Sequence, residues 1–121
     1  MISKETFDAY NAKMTVNPNN IKKMSPAQRD AVIVWGTQAE NLLRHRDLAQ
    51  FMHEYKFELC DQLVDIVGHT AEADARRIAV SNQIAGLDGF VVLLKRAMHY
   101  KNQAVSIRDN VEAPPVNKEI E

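Results

Sequence analysis

Val80, Ile84, Leu87, Val91, Leu94 and Met98 recur at steps of four and three along the chain. Apolar residues at that spacing line one face of an α-helix. The stretch also holds two glycines, Gly86 and Gly89, and the pattern passes both without losing phase. A helix broken there would have no reason to keep phase. The spacing predicts one helix over about residues 71–104, in which Ala85, Gly86 and Gly89 admit a second backbone at close range. A local kink at the glycines is the rival reading. Ile78, Phe90, Val92 and Leu93 lie off the stripe. A helix apolar on more than one face is buried on more than one face. In a chain of 121 residues that points to burial against another copy.

The rest of the chain reads as helices that serve this one. Residues 2–14 form a short helix that Ser3 caps, with Ile2 placed to staple onto Phe7. Residues 15–24, TVNPNNIKKM, are turn-rich and read as a linker. At SPAQ, Ser25 caps a second helix, Pro26 takes its first position and Gln28 completes a capping box. Val32, Trp35, Ala39 and Leu42 share a face, and Gly36 beside Trp35 leaves room for a partner helix. Asp47, with Gln50 three later, marks the start of a third helix whose stripe is Leu48, Met52, Tyr55, Leu59, Leu63 and Ile66. Gly68 suits a left-handed stop, and Thr70 caps the fourth helix, with Glu72 and Asp74 in its first turn. Residues 106–121 lose periodicity and carry Pro114-Pro115, which marks a disordered or extended tail. The expected fold is all-α: a hairpin of helices three and four with an additional packed helix, all within 25–105. An N-terminal helical arm and linker (1–24) precede it, and the tail follows.

Composition narrows the partners. A net charge of −1 gives no global attraction to nucleic acid or anionic membrane. No uninterrupted apolar run approaches the length of a membrane span, so none is expected. The first residues lack the basic-then-apolar layout of a signal peptide. The single cysteine, Cys60, forms no internal disulfide, suits a reducing cytosol and lies close enough to the core stripe to be packed.

Candidate chemistry is sparse. Glu54, Glu58, Asp61 and Asp65 share a face of the third helix. They read either as a solvated or ion-paired surface or as half of a magnesium site, as in helical nucleotide pyrophosphohydrolases. A second carboxylate pair at helical spacing is missing, because Glu72 and Asp74 are two apart. His45, His53, His69 and His99 form no metal-ligand spacing, so neither a metal nor a cofactor is expected. Basic residues gather at Arg44-His45-Arg46 and near the end of the fourth helix. They complement helix dipoles or contact an anion, with Tyr100 available to stack on a base.

QAENLLRHRDL (38–48), TAEADARR (70–77) and the long helix with AGL (85–87) together resemble small helical-hairpin proteins of tailed bacteriophages. The resemblance implies a phage gene product in the host cytoplasm or virion, an accessory of assembly or DNA packaging. HRDLAQ (45–50) and RIAVSNQIAGLDGFVVLLKRA (77–97) are also similar to phage anti-CBASS sponges, helical oligomers that trap cyclic oligonucleotides. Arg77, Gly89-Phe90 and Arg96-Ala97 carry that similarity. The expected function is a non-enzymatic homo-oligomer that meets itself through Trp35, Gly86, Gly89, Phe90 and Leu94. Phage structural or packaging proteins, DNA or a cyclic nucleotide would be met through Arg76, Arg77, Lys95, Arg96, Tyr100 and Lys101. The alternatives are a cyclic-nucleotide sponge and, third, a magnesium-dependent nucleotide hydrolase.

Overall fold

The computed structural model describes residues 2–15 and 18–112, and among them there are helices and no strands. The order is α1 (Lys4–Ala12), a 3-10 helix (Pro18–Lys23), α2 (Pro26–Arg44), α3 (Arg46–Asp65) and α4 (Ala71–Glu112). The fold is all-α, as the periodicities predict. Two compact units are present: Met1–Thr37 with Met98–Glu121, and Gln38–Ala97.

The helix starts follow from capping chemistry. Ser3 caps α1 by accepting from the Thr6 amide at 3.2 Å. Ser25 and Gln28 form the expected reciprocal box, at 3.0 and 3.2 Å. Thr70 accepts from the Ala73 amide at 3.1 Å and opens α4. For α3 the cap differs from expectation. His45 is the cap, its Nδ1 accepting from the Leu48 amide at 3.2 Å, and the helix begins at Arg46, ahead of Asp47. An imidazole nitrogen fills the place a carboxylate oxygen was expected to take, and Gln50 turns to Glu54 instead.

The first unit has a small core of Ile21, Met24, Val32 and Ala104, ringed by Met14, Ile33, Tyr100 and Ile107. This corrects two readings. Residues 18–24 are no mere linker, because the 3-10 helix delivers Ile21 and Met24 into that core. Nor does the chain lose helicity after residue 105: Tyr100, Ala104 and Ile107 continue the four-and-three spacing onto the core, and α4 runs to Glu112. The boundaries at 24 and 105 therefore divide a unit that packs together. Residues 113–121, with the two prolines, lie outside the described residues. Arg29 is 8% exposed, and its Nη1 donates to the Met24 carbonyl at 2.8 Å. Its Nε has no partner among the described residues.

The second unit holds the α3–α4 hairpin. Leu59 from α3, Ile66 just after it, Ala73, Val80, Leu94 and Ala97 from α4, and Ala39 from α2 are buried in it. Arg77 donates to the Ile66 and Gly68 carbonyls beside the connecting turn, while Lys56 reaches Asp88 farther along. That order is antiparallel. α3 ends at Asp65, and Gly68 follows in the left-handed region with φ of 84°. α4 passes Gly86 and Gly89 as one unbroken helix, so the kink is not formed.

Candidate functional site

In the second unit α4 is apolar on two sides. Val80 and Leu94 point into the hairpin and are buried, with Ile84, Leu87 and Val91 half-buried beside them. On the other side Ile78 is 63% and Val92 58% exposed, and Phe90 and Leu93 are also exposed. A Cβ added to Gly86 or Gly89 would meet nothing within 4 Å. By length and composition alone α4 is long and apolar enough to cross a membrane, although it holds no uninterrupted apolar run of that length: its most apolar 18 residues average a mean hydropathy of 1.3, and 11% of them are buried.

Of the five residues expected at an interface, Gly86, Gly89 and Phe90 are exposed, with Phe90 turned toward the flank of the Leu94 stripe. Leu94 is not. At 6% exposure it belongs to the hairpin core, because its place in the four-and-three stripe faces α3. Trp35 is half-buried in the first unit.

The basic residues do not converge. Arg77 is committed within the fold: Nη1 meets Asp74 Oδ1 at 2.7 Å, while Nη2 serves the turn carbonyls. Lys95 follows it by 18 residues, roughly 27 Å along a helix. Arg76 and Arg96 are exposed. Tyr100 and Lys101 are half-buried in the other unit, where Tyr100 packs on the core and tilts against His99 with centroids 5.5 Å apart.

Each unit carries a groove. In the first, about 500 Å³ is lined by Asn20, Ile21, Lys22, Lys23, His99, Tyr100 and Gln103. Lys22 and Lys23 fall in the stretch whose turn-rich composition reads as a linker; the three-residue step from Ile21 to Met24 turns both lysines outward together. In the second, about 490 Å³ is lined mainly by apolar side chains including Leu42, Met52, Leu87 and Val91. The Lys56–Asp88 pair, 2.9 Å long, sits on that groove and was not foreseen. The Asp88 hydrogen bond first, and its charge second, raise the pKa of Lys56.

The acidic face of α3 is exposed, and among the described residues no three His, Cys, Asp or Glu side chains gather as a metal would require. Cys60 is exposed, contrary to the packed position expected, because the buried neighbour Leu59 sits a third of a turn away. His53 stacks on Phe57 at 6.4 Å, and His69 lies 4.0 Å from Asp74. No family model, curated protein or solved structure matches this chain.

Proposed function

We propose that this chain is a non-enzymatic, self-associating interaction protein, an accessory of virion assembly or DNA packaging in a tailed phage. The outer face of α4 carries the reading. Ile78 and Val92 are exposed with the small residues Ser81, Ala85 and Gly89 between them, on a helix already packed on its other side, and this supports reading that face as a contact surface for another protein. The spread of Arg76, Arg77 and Lys95 along that helix offers no convergent pocket for catalysis. The resemblance to phage helical-hairpin proteins supplies the setting, the host cytoplasm or the virion, and its assembly partners.

A second reading, a cyclic-nucleotide sponge, draws on the groove of the first unit. Lys22, Lys23 and His99 there surround Tyr100, a set suited to a phosphate and a stacked base. Native mass spectrometry of the purified protein, with and without a mixture of cyclic di- and trinucleotides, separates the two. An oligomer that gains no ligand mass supports the assembly reading. An oligomer that gains ligand mass, lost in Lys22→Ala/Lys23→Ala, supports the sponge. A monomer that binds nothing sinks both. For a packaging role, duplex DNA binding that falls steeply with salt is the expected companion result.

A further inference from the structure

We infer that the outer face of α4 is a seam for a second copy of the same helix, running antiparallel and centred on Ala85. The inference rests on the self-association proposed above and adds its geometry.

At 100° per residue, Asp74, Ile78, Ser81, Ala85, Gly89, Val92 and Arg96 fall within roughly 80° of arc. All seven are exposed. Their steps are four, three, four, four, three and four, which read the same in both directions. An antiparallel copy centred on Ala85 therefore places Asp74 beside Arg96, Ile78 beside Val92 and Ser81 beside Gly89, twice over by symmetry. The small residues Ser81, Ala85 and Gly89 occupy the middle, where two backbones approach most closely. Open space beyond Gly86 and Gly89 permits that approach.

Charge sets the direction. Asp74 and Arg96 are the only charged members of the row and stand at its two ends. A parallel copy would put Asp74 on Asp74 and Arg96 on Arg96. The antiparallel copy puts opposite charges together at both ends, where like charges would repel. Arg96 has no ion-pair or hydrogen-bond partner among the described residues. Asp74 meets Arg77 and His69 through Oδ1, and its side chain stays about half exposed. A carboxylate accepts at several sites, so a second guanidinium fits the same group. A lipid occupant is a poorer match, since a bilayer has no use for the charged ends or for Ser81 in the middle.

The test is site-directed cross-linking in the full chain with Cys60→Ser as background, using a short bismaleimide. Ala85→Cys is expected to link to itself. Ile78→Cys alone is expected not to link, whereas Ile78→Cys mixed with Val92→Cys links. Self-linking of Ile78→Cys would overturn the antiparallel register. Absence of all links in a protein that still sediments as an oligomer would overturn the seam and leave the proposed function standing. A protein that sediments as a monomer would remove both. Flotation with phosphatidylcholine vesicles in place of dimer formation would assign the face to lipid and overturn the seam. A second line avoids cysteine: Arg96→Glu should weaken the dimer about tenfold. Ala85→Glu should abolish it with helical circular dichroism unchanged, and a dimer that survives Ala85→Glu counts against the seam.

Discussion

On its inner side α4 carries Val80, Leu87, Val91 and Leu94 toward α3; on its outer side it leaves Ile78, Ala85 and Gly89 exposed, with Val92 exposed at the rim of the groove it lines with Leu42 and Met52. The inner set is large aliphatic throughout, whereas the outer set has Ile78 and Val92 at its ends and small residues between them, over a similar length. Only the inner one yields burial within the chain, at about 25 cal/mol for each Å² withdrawn from water. The outer one holds the same kind of free energy unspent. Periodicity counts the apolar faces of a helix, and the surroundings decide which face is core.

The strongest way to separate the faces is to damage the inner one. Leu59, 1% exposed, fills the hairpin from α3. Leu59→Ala should lose about 2–5 kcal/mol through lost contact and a residual cavity, measured by urea unfolding at a concentration where the chain is monomeric. Thr70→Ala removes the cap that starts α4 and should cost about 1 kcal/mol in the same assay. On the outer face the sign reverses. Gly86→Ala meets open space in the middle of a helix and should stabilise the monomer by about 0.5–1 kcal/mol. Ile78→Ser should shift monomer stability by no more than about 0.5 kcal/mol; a loss as large as that of Leu59→Ala would mean that the outer face is already covered within the chain. The smallest effect concerns Lys56. Asp88 raises its pKa in the folded state, so the pair's contribution is fully present below the ordinary lysine value of about 10.4. It is lost as pH climbs through the raised folded value. The thermal midpoint should fall slightly more between pH 9 and 12 in the parent protein than in Lys56→Met.

The sequence made α4 readable because its apolar residues keep one period for many turns, and a long repeat outvotes two glycines. It made the caps Ser3, Ser25 and Thr70 readable because a hydroxyl before a helix has one local task. His45 was missed because an imidazole caps less often, and Asp47 stood nearby with the customary chemistry. The 3-10 segment was missed because two core residues, Ile21 and Met24, are too few to show a period among asparagines and lysines. Lys56–Asp88 joins residues 32 apart, and no local pattern encodes such a pair. Gly86, Gly89 and Phe90 are exposed, as the excess of apolar residues suggests, but Leu94 is buried, because composition does not say which stripe meets α3.

Arg29 has a consequence for proteolysis. Lys22 and Lys23 are exposed and polar, and together they make an inviting pair for trypsin. A protease needs a stretch of backbone drawn out into its cleft. Here Ile21 and Met24 anchor the segment on either side of the lysines, and the Arg29 guanidinium clasps the Met24 carbonyl from the next helix. The scissile bonds are presented yet withheld, and brief digestion would find them only after that clasp has let go.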